Sequence, residues 1–425
     1  MRLTLTMMLA MMMVGAVTPA FAELQNVEVG GSLRIRMNYY GAGADGSFDD
    51  DNPDAFFVEQ RTAVNVKADF TDDVTAFIEM DEYGSWGDSL REDPSLFTGL
   101  NGADGPSLDL YQAYIEMREA WGYPLTFRLG RQEIQLGSEF IFGNNDTAGG
   151  FAGLYHDAVR MDYDADDFSL TTFWSRVFQD SAFENHADDG NVAAIYGSYT
   201  GLEDMTFDGY YVYAGINEGE LAPDEGRKFH TVGFRFAGVA SQFDWDAELA
   251  YQTGDSGIDG VDQEGFAVTA DLGYTFDSEY QPRLFMRGNY FSGPDDDGDE
   301  LGFARLFSDH ELSEFLGNTD LSNIWSVGGG VSAQITEEID MSGVVTYYAV
   351  DEDFGADDDD LGLELGLYMT YNYSEDLYIE AGYAHFFAGD AIEDGFVVNG
   401  NGTIPAGGGD DDDLNYVYVE TGISF

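Results

Sequence analysis

The sequence predicts an all-β chain, a transmembrane antiparallel β-barrel of about eighteen strands with short periplasmic turns and long acidic extracellular loops. Three observations carry that prediction. Apolar and polar residues alternate with period two from one end of the chain to the other. Short polar turns and long acidic loops follow one another at successive junctions. The final segment, "LNYVYVETGISF", sets Val417, Val419, Thr421, Ile423 and Phe425 on one face and Tyr416, Tyr418, Glu420, Gly422 and Ser424 on the other.

Taken in order, Met1 to Ala22 reads as a secretory signal. It has one Arg, an apolar stretch short of the ~20 residues that span a bilayer, and Ala20-Phe21-Ala22 before Glu23. Residues 23–425 are then expected to form the barrel. "GSLRIRMNYY" places Leu33, Ile35, Met37 and Tyr39 opposite Arg34, Arg36 and Asn38. "VNVKADF" and "VTAFIEMDEY" follow across Thr71-Asp72-Asp73, then "LDLYQAYIEM" and "LTFRLGRQEIQLG" across Trp-Gly-Tyr-Pro. Eleven more alternating segments lead from "AVRMDYD" to "LGLELGLYMTYNY", and "LYIEAGYAHFF" and the terminal strand complete the set. The long junctions are 87–107, 138–156, 179–191, 217–228, 293–322 and 390–413, all expected at one end. Loops 138–156 and 293–322 are the candidates, by length, to fold into the pore, and "RLFSDHELSEFLGN" in the second could make a short helix. Tyr and Phe gather near strand ends, where rings favour the headgroup level. A terminal strand with Val, Val, Ile and Phe toward lipid closes against the first strand, which removes a backbone edge that lipid would not tolerate.

Composition narrows the function classes. The chain has 53 Gly, 26 Tyr and 32 Phe but 9 Pro and no Cys, which fits one repetitive β object without disulfides. With 81 acids against 17 bases, a nucleic-acid partner is excluded, because phosphate binding needs a basic surface. The acidity fits a surface bathed in salt, a cation-attracting surface or acidic loops, and charge alone does not choose among them.

The placement of charge points to the pore. Acids crowd the long loops, whereas Arg34, Arg36, Arg61, Lys67, Arg128, Arg160, Arg235, Arg283 and Arg287 lie within strands. Nearly all alternate with apolar neighbours, as Arg160 does between Val159 and Met161, so they face away from lipid. A charge toward lipid near the midplane costs roughly 2–4 kcal/mol. Arg131 and Arg176 depart from this: they share parity with Leu129 and Trp174, so either a bulge reverses them or they lie above the lipid band. Lumenal acids expected on the same faces are Glu59, Asp69, Glu79, Asp81, Glu116, Asp162, Glu248, Asp271, Glu364 and Glu380. Such faces can hold the wall together through Arg–carboxylate pairs, and can also orient passing solutes as charged rings do in pores.

Asp295, Asp296, Asp297 and Asp299 are the candidates for loosely bound divalent cations, which could bridge to lipopolysaccharide; solvated acidic loops are the alternative. "PDDDGDELGFAR" fails the helix–loop–helix calcium pattern, since Ala304 stands where a Glu is needed. No cofactor is expected. The five His residues are dispersed, and no G-x-S-x-G elbow is present, so no enzyme is predicted.

At "FRLGRQEIQLGSEFIFGNND" and "YHDAVRMDYD" the chain resembles the alginate-export-type outer-membrane proteins. Their G-R-Q-E and D-G-V-R segments correspond to Gly130-Arg131-Gln132-Glu133 and Asp157-Ala158-Val159-Arg160, with Ala158 replacing a Gly. The resemblance implies a monomeric eighteen-stranded barrel in a bacterial outer membrane, with Arg128, Arg131 and Arg160 lining the pore. It also implies that Phe425 presents the terminal strand to the barrel-assembly machinery. This chain has too few bases to copy an Arg-rich polyuronate lumen. The expected function is passive, cation-preferring diffusion of small hydrophilic solutes; the alternatives are passage of a polysaccharide or anionic sugar, and a structural or adhesive surface barrel.

Overall fold

The computed structural model describes residues 24–41, 54–86, 107–146, 153–178, 189–217, 226–295, 298–310, 312–316, 322–352, 358–393, 396–399, 402–405 and 412–425. The expected signal segment Met1–Ala22 and the pair Asp296–Asp297 lie outside the described residues.

Eighteen strands form the wall: β1 (Asn26–Gly41), β2 (Ala55–Thr71), β3 (Val74–Ser85), β4 (Ser107–Met117), β5 (Leu125–Gln132), β6 (His156–Asp164), β7 (Phe168–Phe178), β8 (Gly190–Leu202), β9 (Met205–Ile216), β10 (Lys228–Ala240), β11 (Phe243–Ile258), β12 (Val261–Thr275), β13 (Arg283–Phe291), β14 (Ile324–Gln334), β15 (Ile339–Val350), β16 (Asp360–Asn372), β17 (Leu377–Ala388) and β18 (Leu414–Ser424). Each pairs antiparallel with its sequence neighbours, and β18 pairs with β1 from Ser32↔Ser424 to Gly41↔Asn415. The sheet therefore has no free edge. Phe425 and Gly31 complete the seam by exchanging backbone hydrogen bonds of 3.0 Å. A two-residue strand, Glu300–Leu301, runs parallel to β12 at the loop end.

The alternation sorts the side chains as the sequence predicts. On β18, Val417, Val419 and Ile423 point outward, while Tyr416, Tyr418 and Glu420 are buried within. Outward residues such as Val29, Leu129, Val232 and Met286 are more than half exposed. That girdle of large apolar side chains would be untenable in water and is what a hydrocarbon annulus requires.

Two features differ from the alternation pattern. β11 and β12 run on to a tight Asp259-Gly260 turn with Gly260 at φ +78, so no long loop separates them. β5 stops at Gln132, short of the Gly137 that ends the alternating segment, and the chain then leaves the wall for the lumen, where Ile134 is fully buried.

The buried core lies inside the barrel. Both loops that were long enough to enter the pore do so. Residues 133–146, 298–310 and 312–316 enter the lumen, and the two loops pair through Phe142 and Phe307, with Gly143 N donating to Phe307 O at 2.8 Å and Phe307 N to Ile141 O at 3.0 Å. Ile134, Phe140, Phe142, Phe303 and Leu316 pack with inward wall residues such as Phe173, Val212 and Phe291. The described residues of "RLFSDHELSEFLGN" are extended or bent rather than helical, because their apolar side chains anchor to wall strands one after another. A single helical turn, Asp390–Glu393, adds Ala391 and Ile392 to the same core.

Candidate functional site: the charged lumen

Lumenal arginines arise wherever an Arg takes the inward parity of its strand, and each lies beside a carboxylate of its own or a nearby strand. On β1, Arg34 Nε donates to Glu420 at 3.2 Å and Arg36 Nε to the same carboxylate at 2.8 Å. Arg61 on β2 donates to Asp81 at 3.0 Å and to Asp146 of the first inward loop at 2.9 Å. Arg34 also pairs with Asp146, so that one loop carboxylate fastens the loop to β1 and β2. Burial pushes the Asp146 carboxyl above the ordinary carboxylate value, against the pull of Arg61 and Arg34.

A second group occupies β4 to β6. Arg128 donates to Glu116 at 2.7 Å and lies over the Tyr114 ring, while Arg160 meets Asp162 at 2.9 Å. A third group occupies β9 to β13. Arg235 sits between Asp208 and Asp246, and Arg283 between Asp244 and Asp271. Arg287 reaches Asp271 at 3.2 Å and is the most open of these arginines, with nearly half its side chain exposed. Of this group, Arg283, Arg287, Asp244, Asp246 and Asp271 line a cavity of about 820 Å³, to which Ser138, Asp309 and His310 of the inward loops also contribute.

The predicted acids divide into two kinds. Glu116 is ion-paired. Glu79 instead accepts from the Asn65 amide at 3.2 Å, and Glu380 from the Tyr418 and Thr370 hydroxyls at 2.6 and 3.2 Å. Glu364 takes Ser313 Oγ and the Glu314 amide, and so clasps the second inward loop. His310 on that loop rests against Phe140 and within 3.2 Å of Asn289. Burial, with Arg287 and Arg305 adding to it, pushes its pKa down to about 4.

Arg131 corrects the pore-lining prediction. Gly130 has φ +129, yet the pairing runs unbroken through Ala113↔Arg131 and Arg131↔Asp157. Arg131 therefore keeps the outward parity of Leu129. It lies one residue from the loop end of β5, bound to Asp157 at 2.9 and 3.1 Å and stacked on Tyr155. Arg176 sits opposite Asp157 on the same outer face. Among the described residues no group of three or more His, Cys, Asp or Glu side chains is arranged to hold a metal. Asp295 instead uses its carboxylate to accept from the Glu300 amide at 2.9 Å.

Several functional acids escaped the sequence reading. Asp244 and Asp246 share inward parity with Glu248 in "FDWDAEL", so their signal was present. Asp146 sits in a loop, where periodicity says nothing.

The family model for alginate export matches residues 25–401. No curated protein matches the chain by sequence. Among solved structures the fold is similar to OccK8 (OprE) of Pseudomonas aeruginosa, with TM-score 0.59 and 12% identity over 95% of this chain and 98% of that one. It is likewise similar to OccAB1 of Acinetobacter baumannii, with TM-score 0.59 and 14% identity over 96% and 99%. At these identities the likeness speaks for the barrel fold.

Proposed function

This chain belongs to the alginate export family and is a barrel channel of the bacterial outer membrane, and from that premise we propose that it passes small hydrophilic solutes by passive diffusion, with a preference for cations. One observation carries the preference. The lumenal arginines Arg34, Arg36, Arg61, Arg128, Arg160, Arg235, Arg283 and Arg287 are all ion-paired, whereas Glu79 and Glu380 accept only from neutral donors among the described residues. Their charge is left to the water in the pore. In a narrow, low-dielectric passage, fixed charge of one sign concentrates counter-ions.

Family membership also favours a second reading, passage of an anionic polysaccharide. That role asks for guanidinium groups available to successive carboxylates, and Arg235 and Arg283 are each already flanked by two. Phe425 at the barrel seam supports recognition of the terminal strand during assembly, and the acidic loops support contact with lipopolysaccharide through bridging cations.

Reversal potentials in a planar bilayer under a potassium chloride gradient test the proposal. Cation preference is expected, and Glu79→Gln with Glu380→Gln should shift the potential toward zero. Anion preference, or no shift in the double variant, would refute the role given to these carboxylates. Block by an oligouronate would support the second reading, and absence of conductance would leave a structural barrel.

A further inference from the structure

Tyrosines gather on the inner wall of β15 to β18. Tyr348, Tyr368, Tyr416 and Tyr418 take inward parity there, and Tyr40 of β1 extends the row, its ring centre 4.3 Å from that of Tyr416. Glycines let two of these rings lie flat against the wall. A Cβ at Gly382 would stand 2.1 Å from the Tyr418 ring, and one at Gly366 would stand 2.7 Å from the Tyr368 ring. Each ring therefore covers bare backbone with one face and turns the other to the lumen.

Tyr348, Tyr368 and Tyr418 line a chamber of about 300 Å³ between that wall and the second inward loop, which contributes Leu312, Ser313 and Glu314. Glu364, 5% exposed, supplies a second carboxylate. The tyrosine and serine hydroxyls are already donating: Tyr368 to Glu314 at 3.0 Å, Tyr418 to Glu380 at 2.6 Å, Tyr348 to the Leu312 carbonyl and Ser313 to Glu364. A phenol has one proton to give, so the three tyrosines still offer a ligand lone pairs and ring faces. Arg287 stands on the boundary with the 820 Å³ cavity, bound to Asp271. A volume near 300 Å³ is at the lower end of small-molecule sites.

We propose that this chamber binds a compact organic ammonium ion, its positive head against the Tyr368 and Tyr418 ring faces and beside the carboxylates of Glu314 and Glu364. Ring quadrupoles attract a cation over their faces, more strongly where water is excluded. The two carboxylates add Coulomb attraction and outnumber the one guanidinium, whose charge Asp271 already answers. A carboxylate ligand needs donors, and a sugar needs donors as well as acceptors. With the hydroxyls committed, this lining serves both poorly. The assignment is independent of the path along Glu79 and Glu380. Neither lines the chamber, and binding is read with no current flowing, so it can fail while the cation preference holds.

The test uses the folded full chain in detergent micelles, with choline chloride as probe and saturation-transfer NMR, corrected for empty micelles, as readout. Its comparator is the uncharged alcohol of the same shape in which carbon replaces the ammonium nitrogen. Choline should bind at least about tenfold more tightly than that alcohol, and excess acetate or glucose should not displace it. Tyr418→Leu and Glu314→Gln should each weaken choline by about tenfold. Because choline and its isostere are compared on the unaltered protein, that result does not depend on the variants folding. Equal binding of the two, no choline binding by the folded protein, displacement by acetate or glucose, or unchanged affinity in either folded variant would each overturn the assignment.

Discussion

Replacing Phe142 by Ala should loosen the constriction while leaving the barrel standing. Phe142 is 1% exposed, and its ring centre lies 5.1 Å from Phe173, 5.4 Å from Phe307 and 6.0 Å from His156. It thus joins the first inward loop to the second and both to the wall. Truncating a buried Phe to Ala costs about 3–5 kcal/mol, combining lost transfer energy with the cavity left behind. The wall strands keep their hydrogen bonds, so the penalty falls on loop docking. At about 1.4 kcal/mol per tenfold, a loss of 3 kcal/mol raises the undocked population by roughly a hundredfold. The loops remain tethered by Asp146 on Arg34 and Arg61 and by Ser138 on Glu248, so they loosen without leaving the lumen. Single-channel recordings should show larger and noisier conductance than the unaltered protein. Phe307→Ala should act similarly, and the double variant should add less than the sum, since both remove one stacked contact. Quiet, unchanged conductance in folded Phe142→Ala would show that these loops do not set the width of the passage.

Two other outcomes are expected. Val419 lies mid-strand on the lipid face of β18, opposite Met37 and Ala381, so Val419→Arg should destabilise the folded barrel by roughly 2–4 kcal/mol in urea unfolding from lipid vesicles, and a loss below about 1 kcal/mol would contradict the lipid-facing assignment. His310 is docked neutral, with its pKa pushed from the ordinary 6.5 to about 4, so the undocked ring takes a proton first as pH falls. Docking of the second inward loop is at full strength above pH 6.5 and weakens as pH drops toward 4, by about 3 kcal/mol at most for this half-buried ring. Conductance noise should therefore rise between pH 6.5 and 4.5 in the unaltered protein and stay flat in His310→Gln; the same titration in both would refute the assignment.

Period-two alternation determined the barrel, its strand count, its closure and the inward facing of the arginines, because a strand's pleat assigns each side chain to one face by parity alone. Arg34, Arg61, Arg160 and Arg235 were legible on that ground, and so was the burial of Glu420 beside the exposed Val419. Parity also flagged Arg131 as discordant; its outward position follows from an unbroken register that the family motif could not reveal. What the tertiary structure decided lies in the loops. Asp146 meets Arg34 and Arg61, His310 meets Asn289, and Glu314 meets Tyr368, because chain folding back through the lumen brings together residues with no common period. Local alternation is set by backbone geometry and reads directly from sequence, whereas the path of a loop is the sum of many contacts to distant strands and exists only once the cylinder has closed around it.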